Sequence, residues 1–260
     1  MDLQAMAGWI FDLDGVIWAH TQVLPGAIEL VEALRRAGRG VVFLTNNSGA
    51  TGPVLAERLT AMGIPTGPHD VVAPIDAAGE YLRERCGQTA VLVSGLPELR
   101  ASLEQAGHVV VDDPEAAGAV VMGRDPDFGY ATLARVCRAV DRGIPFLALN
   151  RDPRYPVGNG AWLPGLGAWV AAVAAATGRE PEIVGKPSPL LFEAALGRLG
   201  LPASATVMVG DTPAADIAGG LGAGLWTVLV GGDAREPQGH LQVVDTAELC
   251  SIFLGERGMR

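Results

Sequence analysis

Along the whole chain, short continuous apolar runs alternate with longer stretches whose apolar residues recur at helical spacing. The runs GWIFDL from Gly8, GVVFLT from Gly40, TVMVGD from Thr206 and WTVLVGG from Trp226 predict strands buried on both faces. Between and after them, PGAIELVEALRRAG, TGPVLAERLTAMG, SPLLFEAALGRLG, PAADIAGGLGAG and TAELCSIFLGE predict helices. The first of these places Pro25 in its opening turn and Gly38 at its end. Strands and helices in alternation predict an α/β fold with a parallel sheet covered on both faces. Sheets of that kind bind ligands beyond the carboxyl ends of their strands.

That rule gathers distant residues onto one rim. Asp12 and Asp14 close the first strand in FDLDG, Thr45 closes the second in LTNNS, and Asp211 closes a later one in VMVGDTPAAD. Strand side chains repeat with period two, so Asp12 and Asp14 are expected to face the same side. About 30 residues lie between Asp14 and Thr45, but about 140 lie between Thr45 and Lys186, an excess the size of a small domain. Residues 80–181 are therefore expected to form an inserted α/β domain, with 1–79 and 182–260 as the core. Within the insertion, TAVLVSG, HVVVDD, GAVVMG and IPFLALN predict strands, and PELRASLEQAG and GYATLARVCRAVDRG predict helices. LGAWVAAVAAATG, from Leu166, is too short to span a bilayer and is expected as a buried helix. The Gly/Pro-rich DPRYPVGNGAWLPGLG, from Asp152, is expected as the loop from insertion to core.

Composition narrows the function classes. Of 260 residues, 49% are apolar, ample for a packed core, and the formal charge of −10 excludes a nucleic-acid backbone or an anionic membrane surface as partner. Three cysteines without a C-x-x-C suggest neither a disulfide framework nor a zinc site. MDLQAMAG has no basic region or long apolar core of a signal peptide, so a soluble, cytoplasmic protein is expected. The oligomeric state is left open, a homodimer included.

FDLDGVIW, LTNNS, GKPSPLLFEAAL and VGDTPAADIAGGLGAG, in that order and spacing, resemble the motifs of the haloacid dehalogenase superfamily of phosphohydrolases over nearly the whole chain. Within it they look like the branch that contains the nitrophenylphosphatases, phosphoglycolate phosphatase and NagD. The resemblance implies a Rossmann-like three-layer core with a parallel sheet, and a large α/β cap domain inserted between the second and third motifs. It implies a Mg²⁺-dependent phosphatase acting on a small phosphorylated metabolite. It further implies that Asp12 attacks phosphorus while Asp14 gives its backbone carbonyl to the metal.

The residue types suit that chemistry. Asp12 and Asp211 offer hard oxygen ligands of the kind Mg²⁺ takes, and the metal offsets their repulsion of a phosphate ester. A carboxylate nucleophile divides hydrolysis into two easier steps through an aspartyl-phosphate. Asp14 is the candidate proton carrier, serving the leaving alcohol first and the attacking water next. Thr45 and the N–H groups of Asn46 and Asn47 are candidates for phosphate oxygens, with Thr212 beside Asp211. Lys186 is placed to cancel phosphoryl charge and orient Asp12. Asp216 is expected behind the metal ligands or on the helix surface. In the insertion, Asn150, Arg151, Asp152 and Arg154 of NRDPRYP are specificity candidates, the two arginines for a second anionic group or merely as solvated loop residues. Each position taken singly also fits a plainer role: a strand-end turn for Asp12, Asp14 and Asp211, a helix cap for LTNNS, a solvated lysine for Lys186. Two rival activities use the same groups. One is a phosphotransferase or mutase; the other is a receiver-like phosphoacceptor, against which the insertion and Asp14 both count.

Overall fold

The computed structural model describes residues 2–158, 161–232 and 239–256. The chain divides into two compact units, the first comprising Met1–Thr45, Gly52–Val72 and Lys186–Arg260, the second Asn46–Thr51 and Ala73–Gly185.

Among the described residues, the first unit holds a six-stranded sheet. Its order is Leu241–Val243, Trp226–Val230, Thr206–Gly210, Gly8–Phe11, Gly40–Leu44, Val71–Val72, and every pair is parallel. The strand Gly8–Phe11 shows why both faces are apolar. Trp9 and Phe11 point one way, their rings stacked at 6.1 Å, and Trp9 meets Phe253 of helix Thr246–Phe253 edge-on at 5.7 Å. Gly8 points the other way, against Leu199 and Leu201 at the end of helix Pro189–Leu199. Helix Ala27–Arg36 joins Thr246–Phe253 and buries Leu30 and Leu34 completely. Each such leucine contributes about 1.5–3 kcal/mol from burial alone.

Two local expectations for this unit change. Helix Ala27–Arg36 starts after Pro25, because Gly26 adopts a left-handed φ of 79° and defers the first turn. PAADIAGGLGAG is not one uniform helix: Pro213–Ile217 forms a wider π-helical turn before Ala218–Gly222.

The second unit carries its own parallel sheet, ordered Glu182–Ile183, Phe146–Ala148, Ala119–Met122, Ala90–Ser94, Val109–Val111. Its extent differs from residues 80–181 at both ends. Helix Pro74–Cys86 belongs here, since Ser102 Oγ donates to the Ile75 carbonyl at 2.8 Å and His108 Nε2 lies 2.9 Å from the Gly79 carbonyl. At the far end the N–H groups of Val184 and Gly185 donate to the carbonyls of Ala148 and Leu149 at 3.0 and 2.9 Å. The stretch from Asp152 is no link between units but lies inside the second, where Arg154–Gly158 and Ala161–Pro164 pair antiparallel. Asn159 and Gly160 of that stretch lie outside the described residues. Helix Leu166–Thr177 buries only the stripe Leu166, Val170 and Val173, although its sequence is apolar all round. No helix among the described residues is long and apolar enough to cross a membrane.

Candidate active site

Adjacent parallel strands deliver the acidic groups of the first unit to one edge. The Asp12 N–H donates to the Val209 carbonyl at 2.9 Å, extending the pairing of Gly8–Phe11 with Thr206–Gly210 by one residue. Thr45 does the same on the next strand, its N–H donating to the Val72 carbonyl at 3.2 Å. Asp211 follows the last residue of Thr206–Gly210. The carboxyl ends of these strands thus hold Asp12, Thr45 and Asp211 on one rim of the sheet.

Lys186 ties the rim together. Its Nζ donates to Asp12 Oδ1 and Asp216 Oδ1, both at 2.6 Å, and to the Leu44 carbonyl at 3.2 Å. The other oxygen of Asp216 accepts the Thr212 N–H at 3.0 Å, and Thr212 Oγ1 donates to Asp211 Oδ1 at 3.0 Å. Asp216 is wholly buried beneath the rim and not on the helix surface. Two glycines make this crowding sterically feasible. A methyl group on Gly15, which sits at a φ of 85°, would collide with Asp211 Oδ2. One on Gly210 would collide with the Asp216 side chain.

One ligand oxygen from each of Asp12, Asp211 and Asp216 lies within 4.8 Å of the others. Three carboxylates against one ammonium leave excess negative charge, and the donors are all hard oxygens. That set suits a hard divalent cation. The Asp14 side chain stands apart from the three: the strand ends at Phe11, and exposed Asp14 sits in the following turn, where its Oδ1 accepts the indole N–H of Trp18 at 2.9 Å.

Electrostatics reflect the shortage of positive charge. Burial pushes the Asp12 carboxyl up to about 8; Lys186 opposes the rise, and Asp216 and Asp211 add to it. Burial likewise raises Asp211, with the Thr212 hydroxyl opposing and Asp216 adding. Burial alone would lower the Lys186 ammonium, but Asp12 and Asp216 hold it above its ordinary value.

The remaining candidates lie in the second unit. Asn46 and Asn47 follow Thr45 directly; the Asn46 carbonyl accepts from Asn150 Nδ2 at 2.8 Å, and Asn47 Oδ1 accepts from the Gly49 N–H at 2.8 Å. Asn150, buried, also reaches Ser48 Oγ at 3.3 Å. Arg151 is ion-paired with Glu180, the Asp152 N–H donates to Asn150 Oδ1 at 3.3 Å, and Arg154 lies 5.7 Å from the Trp162 ring centroid. Sequence reasoning overlooked Trp18; its only signal was an aromatic residue four places after Asp14.

Residues 9–109 match the haloacid dehalogenase-like hydrolase family, and residues 183–248 match a second family described as HAD-hydrolase-like. Human chronophin is 37% identical over 236 residues, spanning 85% of this chain and 80% of chronophin. The 5′-nucleotidase YutF of Bacillus subtilis is 32% identical over 228 residues, 88% of each chain. Among solved structures, the p-nitrophenyl phosphatase from Archaeoglobus fulgidus superposes with a TM-score of 0.88 at 30% identity, covering 95% of this chain and 99% of its own. Rim chemistry, two-unit organisation and likeness along most of the chain agree: this protein belongs to the haloacid dehalogenase-like hydrolases, in their NagD-like branch.

Proposed function

We propose that the protein is a phosphatase that hydrolyses phosphate monoesters of small metabolites through an aspartyl-phosphate on Asp12. The observation that carries this reading is the rim itself, where Lys186 Nζ sits 2.6 Å from both Asp12 and Asp216 beside the carboxylate of Asp211. Asp12, Asp211 and the Asp14 backbone carbonyl would hold Mg²⁺, with Asp216 behind them; the donor chemistry fits, because all are hard oxygens in net excess of negative charge. When bound, Mg²⁺ supplies positive charge against the phosphate oxygens.

The protein's own groups divide the remaining work. Lys186 orients Asp12 Oδ1, leaving Oδ2 to attack phosphorus. Lys186, Thr45, Thr212 and the N–H groups of Asn46 and Asn47 receive the phosphoryl oxygens as charge develops. Asp14 passes its proton to the leaving ester oxygen and later takes one from the water that attacks the aspartyl-phosphate. Choice of the organic group is assigned to the second unit, with Asn150, Arg151, Asp152 and Arg154 as candidates. The relatives named above act, by name, on a nucleotide and on a nitrophenyl ester, which supports small phosphate esters as the substrate class.

The test is phosphate release from a panel of phosphorylated metabolites and nitrophenyl phosphate, with and without Mg²⁺. Turnover that chelator abolishes and Mg²⁺ restores is expected, with an acid-stable phosphoprotein absent from Asp12→Asn. Full turnover in excess chelator would rule out the metal assignment.

A further inference from the structure

We propose that Trp18 is a positioning residue for Asp14, its indole N–H fixing which carboxylate oxygen carries the catalytic proton; the proposal rests on Asp14 being the proton carrier. Trp18 Nε1 donates to Asp14 Oδ1 at 2.9 Å. The acceptor is exposed, but the donor is fully buried and packed in place, so the buried partner sets the position of the exposed one.

The indole is held from several sides. The Arg58 guanidinium lies 4.3 Å from its ring centroid and is itself tied to the His20 carbonyl. The Trp18 carbonyl accepts the Gly15 N–H at 2.8 Å, and the Trp18 N–H donates to the Leu13 carbonyl at 3.0 Å. Thr246 Oγ1 donates to the Val16 carbonyl at 2.9 Å, anchoring the intervening turn to helix Thr246–Phe253.

An indole N–H donates and cannot accept. Asp14 Oδ1 can accept that bond whether the carboxyl is neutral or ionised, so the proton resides on Oδ2 in both halves of the cycle. In the first half, Oδ2 gives its proton to the ester oxygen as the P–O bond breaks and its electron pair stays with that oxygen. The carboxylate charge left behind meets a donor already in place. In the second half, Oδ2 takes a proton from water while the water oxygen bonds to phosphorus. The Asp12–phosphorus bond breaks, and its electron pair returns to Asp12. A hydroxyl at the Trp18 position could compete for the proton; the indole cannot.

Trp18→Phe removes the donor and keeps a ring beneath Arg58. Expected is a fall in kcat on an alkyl phosphate of about ten- to a hundred-fold with little change in KM, a share of what a positioned proton carrier contributes. In a single-turnover quench, phosphoprotein formation should suffer more with alkyl than with nitrophenyl phosphate. In an Asp14→Asn background, Trp18→Phe should add no further loss, whereas a merely structural role would add its full loss there. Parent-like rates in Trp18→Phe, or equal losses in both backgrounds, overturn the proposal and leave the phosphatase reading standing. Parent-like rates in Asp14→Asn overturn the proton-carrier reading and the proposal with it. Should Trp18→Phe not fold, the indole ¹H–¹⁵N resonances of the parent decide: one of the five should move upfield in Asp14→Ala, and none moving overturns the proposal.

Discussion

Asp12 and Asp216 share one ammonium 2.6 Å from each, and burial outweighs the pull of that ammonium on the Asp12 carboxyl. The folded protein therefore holds the Asp12 proton more tightly than the unfolded chain does, up to about 8 against an ordinary 3.8. Stabilisation from this group is fully present below the unfolded value and is lost as pH rises through about 8. Melting in chelator should accordingly show Tm falling between roughly pH 4 and 8, with a shallower fall in Asp12→Asn. Mg²⁺ should stabilise more at pH 9 than at pH 6, because its binding displaces that proton. A Mg²⁺ increment independent of pH would mean that Asp12 does not face the metal. Lys186 gives the complementary result. Lys186→Met leaves two buried carboxylates unpaired, a loss of about 3–5 kcal/mol expected in denaturant melts without metal. Turnover should fall by at least about a hundredfold, as for loss of an oxyanion-stabilising donor.

At the scale of elements, the rim was readable wherever a motif ended a long apolar run. The apolar residues of GWIFDL, GVVFLT and TVMVGD are buried, so continuous hydrophobicity identified the strands and the parallel-sheet rule placed Asp12, Thr45 and Asp211 together. Val71–Val72 and Glu182–Ile183 escaped, since two residues are too few for any period. The pair Arg154–Gly158 and Ala161–Pro164 was hidden by its Gly and Pro content, which reads as loop until antiparallel pairing is seen. Which of its two expected places Asp216 takes was not readable, because its burial depends on the π-helical turn and on the bare Cα of Gly210, neither of which periodicity reveals. Trp18 was overlooked; it lies in the core, and its indole N–H is given to Asp14. The turn after Asp14 yields a sharper prediction. Gly15→Ala combines a left-handed φ with a collision at Asp211, whereas Gly38→Ala meets a similar φ of 72° with open space around it. Both should lose about 1 kcal/mol or slightly more in urea melts. Only Gly15→Ala should also weaken Mg²⁺ activation, and equal Mg²⁺ dependence in the two variants would mean that Asp211 is not held by this turn.

For the whole molecule, covalent order explains why an insertion was visible while its edges were not. About 140 residues between Thr45 and Lys186 cannot be a single connection. Yet the division expected at residue 80 cuts through helix Pro74–Cys86, and only the bonds of Ser102 and His108 to it place the whole helix in the second unit. Within the second unit, the NRDPRYP stretch separates structural from selecting groups. Asn150 is buried and bonded to the Asn46 carbonyl and Ser48 Oγ, so it fastens the segment that follows Thr45. Arg151 is engaged by Glu180. Arg154 is exposed and lies over an exposed Trp162, so its removal disturbs no buried bond. Asn150→Ala should therefore destabilise by about 1 kcal/mol, because it removes the part-buried hydrogen bond to the Asn46 carbonyl. It should lower turnover of every substrate by a similar factor, nitrophenyl phosphate included. Arg154→Ala should leave both Tm and nitrophenyl phosphate turnover within about twofold of the parent. Its effect should fall on substrates with a second anionic group, whose kcat/KM drops about tenfold, the magnitude of one charge-assisted hydrogen bond. The two variants, run against one panel of phosphorylated metabolites, make the assignment decidable. If Arg154→Ala lowers all substrates equally, the arginine supports structure and the selecting group lies elsewhere in the second unit.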